Sequence, residues 1–262
     1  MHRHFVSAVA GLLVAGSASA QTLDSLTLNA MRWRTVGPAN FEGRVTDIDG
    51  IPGSATFFVS AAAGGVWKTT NGGVTFRPTF DTYPCASTGA IAIAPSDTQT
   101  VYLGTGEPNS RNSIEPGCGM YKSTDGGITW RPIGLEKTQH IGRIVVHPTN
   151  PNILYVAALG AAWKANPERG LYKSVDGGQS WQLSKFISDK AGFIDVQMHP
   201  TNPNILLAAS WERVRGPYFL KSGGPGSALW KTTDGGATWT EIRGGGWPET
   251  NKGRISPRFA PS

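Results

Sequence analysis

The sequence predicts an all-β protein, a β-propeller built of four-stranded blades, and three observations carry that expectation. One short hairpin occurs four times, at Trp67–Phe76, Tyr121–Trp130, Tyr172–Trp181 and Trp230–Trp239. Its acidic or amide positions, Asn71, Asp125, Asp176 and Asp234, lie 54, 51 and 58 residues apart, a period of repeated β units rather than of helical solenoids. The stretch His147–Leu154 recurs letter for letter at His199–Leu206, with a looser copy at Ala94–Asp97. Composition agrees: 34 Gly, 18 Pro and 9 Trp in 262 residues favour many short strands joined by tight turns.

In chain order, residues 1–20 read as a secretory signal peptide. His2, Arg3 and His4 precede an apolar run, Phe5 to Ala15, too short to span a bilayer, and Ala18-Ser19-Ala20 forms a small-residue cleavage site. The chain from 21 to 262 is then expected to be exported, periplasmic or extracellular, with blades at roughly 40–80, 86–134, 140–185 and 191–243. A fifth opens at 252–262. In each blade a first strand (Arg44-Val45, Ala90-Ile91, Arg143-Ile144, Phe193-Ile194) leads through a Pro/Asn turn to an apolar second strand. A variable connection, a third strand, the Gly-Gly hairpin and a fourth strand follow. The strands are continuous apolar runs, as expected when both faces are covered by neighbouring blades. Within the hairpin, the Ser or Thr and the Asp or Asn hydrogen-bond the turn backbone, a Gly takes the positive φ, and Phe76, Trp130, Trp181 or Trp239 folds back. Asp47-Ile48-Asp49-Gly50 reads as a turn, since no Glu closes a calcium loop at the required distance.

The net charge of +6 comes without any Lys/Arg block, and no stretch after the signal reaches membrane length, so nucleic acid and an integral membrane segment are excluded as partners. Cys85 and Cys118 form one disulfide in an oxidising compartment; two free thiols are the alternative. No metal site or cofactor is expected. Phosphate loops, zinc-protease and nucleophile-elbow motifs are absent.

Ser123, Asp125, Gly127, Thr129 and Trp130 match in full the Asp-box, or bacterial neuraminidase (BNR) repeat, Ser/Thr-x-Asp-x-Gly-x-Thr-Trp; Asn71 and Phe76 depart from it. With the strand pattern, the chain from Arg32 to Trp239 resembles sortilin-type and xyloglucanase-like exported propellers. The resemblance implies a larger unit, seven blades, of which about four are present. It also implies glycoside hydrolase chemistry on an extracellular polysaccharide, although Asp-box propellers include sorting receptors and assembly factors as well. In xyloglucanases a catalytic Asp precedes the Gly-Gly that opens the third strand of the first blade. Gly64-Gly65 match here, but Ala61-Ala62-Ala63 stand before them, so the carboxylate is missing near Ala62. Inverting glycosidases need two carboxyl groups about 6.5–9.5 Å apart. A sialidase-like reading would instead use Arg44, Arg143 and Arg254 to hold a carboxylate; packing and strand-end hydrogen bonds are the plainer role.

Residues that recur in every blade build the blade, and chemistry falls to the connections that do not repeat, on the opposite face. These hold Glu107 and Glu212 as candidate catalytic acids and Trp163, Trp211, Arg111 and Arg213 as candidate ligand contacts, with Glu168, Arg215 and the first-strand Asp195 as weaker ones. The leading expectation is a scaffold binding a glycan or protein; the alternative is a xyloglucanase- or sialidase-like hydrolase.

Overall fold

The computed structural model describes residues 44–260. Asn40–Ser262 forms one unit and Met1–Ala39 another. The second unit, with the expected signal segment at 1–20, lies outside the described residues, as do the opening residues 40–43 of the first blade and the final 261–262.

The described chain is a four-bladed β-propeller of antiparallel sheets. Blade 1 comprises β1 (Val45–Gly50), β2 (Phe57–Ala61), β3 (Gly65–Thr69) and β4 (Arg77–Pro78), paired in that order. Blade 2 comprises β5 (Thr88–Ala94), β6 (Asp97–Thr105), β7 (Met120–Ser123) and β8 (Arg131–Pro132). Blade 3 comprises β9 (Ile141–Val146), β10 (Leu154–Ala158), β11 (Gly170–Ser174) and β12 (Gln182–Lys185). Blade 4 pairs β13 (Ala191–Met198), β14 (Leu206–Arg215), β16 (Leu229–Thr232) and β17 (Thr240–Glu241), with β15 (Leu220–Ser222) added beside β14.

The apolar runs are double-sided because each core lies between two blades. Phe58 and Val66 of blade 1 pack with Ile91, Leu103 and Trp130 of blade 2. Ala92 and Tyr102 of blade 2 meet Ile144 and Val156 of blade 3, and Tyr155 and Leu171 of blade 3 meet Phe193 and Leu206 of blade 4. Each fully buried side chain of this size stabilises by roughly 1.5–3 kcal/mol. The first strand of each blade is innermost, with β1 beside β5, β5 beside β9 and β9 beside β13. Gly142 marks how tightly they approach: a Cβ there would lie 2.4 Å from the Ile194 carbonyl oxygen of the next blade.

Asp47–Gly50 is not a turn but most of β1, and its alternation is functional within the fold. The Asp47 and Asp49 carboxylates point to β5, accepting hydrogen bonds from the Ile91 N–H (3.1 Å) and the Ile93 N–H (2.7 Å). Burial pushes both carboxyls above their usual range, opposed at Asp47 by Arg143 and at Asp49 by the Ile93 N–H.

The four hairpins are held alike. In the second, Ser123 Oγ donates to Asp125 Oδ1 (2.7 Å) and accepts from the Gly127 N–H (2.8 Å), while Asp125 accepts from the Thr129 N–H and hydroxyl. Asn71, Asp176 and Asp234 occupy the same place in the others. These bonds outweigh burial at Asp125 and lower its carboxyl to about 2; Asp176, held first by the Ser180 hydroxyl, also falls to about 2. A disulfide joins Cys85, between blades 1 and 2, to Cys118, just before β7.

The segment expected to open a fifth blade forms no strand among the described residues. Lys252 makes an isolated bridge to Gly224, Ile255 packs against Ile194 and Trp211, and Ser256 and Arg258 reach Asp195 of β13.

Candidate functional site

Meandering blades place the second-to-third-strand connections and the interblade connections on one side, and the repeated hairpins on the other. The non-repeating side is knit together by the connection 106–119 of blade 2. Arg44 forms a two-pronged ion pair with Glu107, one prong at 2.8 Å. Arg213 of β14 donates to the Pro108 carbonyl (2.8 Å), and Arg254 donates to Asn109 Oδ1 (2.6 Å). Beneath lies His140, buried with neither ring nitrogen hydrogen-bonded. Burial, then the neighbouring Arg213 charge, lowers its imidazole to about 3; the ring is neutral at physiological pH.

Arg44 and Arg143 therefore do not offer free guanidinium groups to a ligand, while exposed Arg254 holds one hydrogen bond to a neutral amide. Arg44 is taken by Glu107. Arg143 donates to Asp47 (2.8 Å) and lies 3.4 Å from Asp195, which also holds Arg258 at 3.1 Å. Asp47, Arg143 and Asp195 thus compensate one another on the inner strands.

Blade 4 departs most from its sequence reading. The stretch from Trp211 to Arg215 is strand, not loop: β14 runs on past the sheet and pairs Arg213–Arg215 with β15. Cover on both faces of the strand buries what a loop would have exposed. Trp211 packs against Leu159, Ile194 and Ile255, and Arg213 is 0% exposed, 5.3 Å over the Trp211 ring. Burial, then the charges of Arg169 and Arg254, lowers the Arg213 guanidinium to about 9. Neither side chain faces solvent, so direct ligand contact through Trp211 and Arg213 is set aside. Glu212 is buried too, accepting from Lys221 Nζ (2.6 Å) and the Gly226 N–H (3.0 Å). Against burial, those two donors keep its carboxyl below the usual range. Glu107 and Glu212 are both committed to internal partners.

The exposed side chains of this face include several aromatics. Trp163, in the connection 159–169 of blade 3, is 44% exposed. That connection is braced by buried Arg169, which donates to the carbonyls of Leu159 (2.8 Å) and Ala161 (2.5 Å), and by the Arg215 N–H bonding the Ala162 carbonyl (2.8 Å). The last bond ties the Trp163 connection to the β14–β15 hairpin, whose tip carries Tyr218 (100% exposed) and Phe219 (57%). Phe219 escaped the sequence reading; the Gly216-Pro217 pair just before it is a turn signal that would have placed two aromatics at a tip. Arg111 and Glu115 are exposed on the blade 2 connection, and Glu168 accepts from Asn166 (3.1 Å).

A cleft of about 460 Å³ opens on the same side of blade 4, where Gly224, Pro225 and Ser227 meet the connection 243–252. Trp247, Glu241, Glu249 and Lys252 line it. Glu241 pairs with Arg243 at 2.5 Å, while Glu249 has no ion pair among the described residues. Trp247 and Glu249 lie in a Gly-rich stretch with no repeat partner, which is why blade periodicity passes over them. At the site expected to lack the xyloglucanase carboxylate, Ala62 is buried, its N–H bonded to the Arg44 carbonyl (2.8 Å). Among the described residues, no three metal-ligating side chains converge, and no helix is long and apolar enough to cross a membrane.

This arrangement offers flat apolar rings and carboxylates along one face, the chemistry of carbohydrate contact. The family model described as "Sortilin, neurotensin receptor 3," matches residues 118–246. The chain is 27% identical over 165 residues to a xyloglucanase of a Paenibacillus species, covering 60% of this chain and 14% of that protein. It is 23% identical over 239 residues to xyloglucanase Xgh74A of Acetivibrio thermocellus, covering 78% and 26%. Among solved structures it is similar to an ancestral GH74 enzyme (TM-score 0.57, 20% identity, 76% of this chain and 25% of that one). It is also similar to the GH74 enzyme of Niastella koreensis (TM-score 0.52, 25% identity, 72% and 27%). The chain spans 14% to 26% of the length of these curated relatives. It is a four-bladed β-propeller related in structure to GH74 xyloglucanase-like and sortilin-type propellers.

Proposed function

We propose that this chain is part of an exported, polysaccharide-acting propeller of the glycoside hydrolase type, and that its non-repeating face holds a β-glucan chain of the xyloglucan class. The observation that carries the proposal is the exposed aromatic set Trp163, Tyr218 and Phe219 with the Trp247 cleft on a single face. The xyloglucanase relatives favour this reading over a scaffold with no sugar ligand. Sugar rings stack on Trp163 and Trp247, and Glu249, which lines the Trp247 cleft without an ion pair among the described residues, is placed there to meet a hydroxyl or a glycosidic oxygen. The second carboxylate of a hydrolytic pair, and further Asp-box blades, belong to sequence outside this chain. Glu107 and Glu212 hold the face in shape rather than carry protons.

The test uses the 262-residue protein with tamarind-type xyloglucan oligosaccharides, reading binding by calorimetry and cleavage by reducing-sugar release. Saturable binding that weakens at least tenfold in Trp247→Ala or Trp163→Ala supports the reading. Absence of binding to any β-glucan refutes it. Sugar release lost in Glu249→Gln would assign catalysis to this chain; binding without release places the missing carboxylate elsewhere.

A further inference from the structure

Arg213, out of reach of any surface ligand, is the buried charge that the fold leaves least compensated. Its side chain is 0% exposed, and of its nitrogens Nη1 alone donates, to the Pro108 carbonyl at 2.8 Å. Nε and Nη2, both buried, find no acceptor among the described residues. These two form the side-on edge of the guanidinium, whose parallel N–H groups match a two-pronged acceptor. Arg44 presents the same pair to Glu107: Nε donates to Oε1 at 2.8 Å and Nη2 to Oε2. Glu107 is thereby taken, and Arg213 has no carboxylate in an ion pair among the described residues.

The surroundings of Arg213 add positive charge. Arg169, also 0% exposed, donates to the Leu159, Ala161 and Lys164 carbonyls and likewise forms no ion pair among the described residues. Burial and the charges of Arg169 and Arg254 lower Arg213 to about 9, so it stays cationic at neutral pH. His140, buried beside it, is neutral, and neither of its ring nitrogens is hydrogen-bonded. The Trp211 ring, 5.3 Å from the guanidinium carbon, attracts the cation but accepts nothing from Nε or Nη2. A desolvated cation with unmade hydrogen bonds is costly; water satisfies the bonds but does not offset the charge. Enclosure limits the counter-charge to a small ion, rather than a sugar acid or a side chain of another blade.

We infer that the Nε–Nη2 edge of Arg213 binds a small monovalent anion of the halide class, beside His140, which neutralises the guanidinium tying β14 to the connection 106–119. The test compares thermal unfolding of the full chain in sodium chloride and in sodium gluconate, whose anion is too large to be enclosed, at equal ionic strength. Chloride is expected to raise Tm saturably, by about 5–10 °C at a hundredfold excess over its Kd. Arg213→Met keeps an apolar stem and should melt at the same temperature in both salts. Arg213→Lys keeps the charge without the paired edge and should shift the chloride midpoint at least tenfold upward. Wild-type crystals grown in bromide give a reading that needs no variant: an anomalous peak is expected within hydrogen-bond distance of both Nε and Nη2. A wild-type Tm equal in the two salts, a chloride response that survives in Arg213→Met, or bromide crystals with no peak at Arg213 would each overturn the inference.

Discussion

The joint between blades 3 and 4 permits a quantitative test of how the propeller is held together. The Gly235 carbonyl accepts two hydrogen bonds, from the Tyr155 hydroxyl at 2.6 Å and from Lys173 Nζ at 2.8 Å. Gly235 and Tyr155 are buried. Tyr155→Phe removes one donor without opening a cavity and leaves the carbonyl satisfied, so it should cost about 1 kcal/mol. Lys173→Met removes the charge-assisted donor and keeps the apolar stem, costing about 1.5–3 kcal/mol. The double variant leaves a buried carbonyl with no partner. A further penalty of about 1–2 kcal/mol beyond the sum is then expected, the cost of an unsatisfied group. For a chain of this size, 1 kcal/mol corresponds to about 2–4 °C in Tm. Urea unfolding of the four proteins in the cycle measures the coupling. Strict additivity would refute the shared acceptor as the element that locks the blades.

Other expectations follow from the same geometry. Because burial lowers His140 to about 3, the unfolded chain binds a proton that the folded chain refuses; stability should fall as pH drops from about 6.5 towards 3, and His140→Leu should remove that slope in urea titrations. The depressed carboxyls of Asp125 and Asp176 contribute stability above the ordinary aspartate range that is lost as pH falls through about 2, so Asp125→Asn should flatten the acid limb below pH 4. Replacing Cys85 and Cys118 by Ser, 33 residues apart, should cost about 4 kcal/mol on the chain-entropy model, read by calorimetry with and without reductant. Trp211→Ala should destabilise by about 3–5 kcal/mol as a core truncation, whereas exposed Trp163→Ala should leave Tm within about 2 °C and act on glycan affinity alone.

The parts of this molecule that repeat are legible in its sequence, and the parts that do not repeat are where reading by period fails. The hairpins at Asn71, Asp125, Asp176 and Asp234 report local chemistry: a hydroxyl, a carboxylate or amide, and a glycine within five residues, each bonding its own turn. The inner-strand acids are a different case. Asp47 and Asp49 look like turn residues because strand propensity disfavours them, yet their carboxylates find backbone donors on the neighbouring blade, a contact 44 residues distant in sequence. Trp211 and Arg213 were misplaced for a related reason. Charged residues interleaved with an indole read as an exposed loop, but β14 carries them inward, where the Pro108 carbonyl, 105 residues away, accepts from Arg213. On the candidate face, Trp163 follows from its irregular connection. Tyr218 and Phe219 sit at the tip of a local hairpin that Gly216-Pro217 signals, whereas Trp247 and Glu249 depend on a cleft formed where the Gly224–Lys252 bridge joins residues 28 apart.

Hydrogen-exchange mass spectrometry of the 262-residue chain, with and without a xyloglucan oligosaccharide, bears most directly on where ligand binds. Protection confined to residues 159–169, 216–227 and 243–252, with the Gly-Gly hairpins unchanged, is the result expected of a glucan held on the non-repeating face. Protection centred on the hairpins at 70–75, 124–129, 175–180 and 233–238, or no protection at saturating sugar, would contradict it.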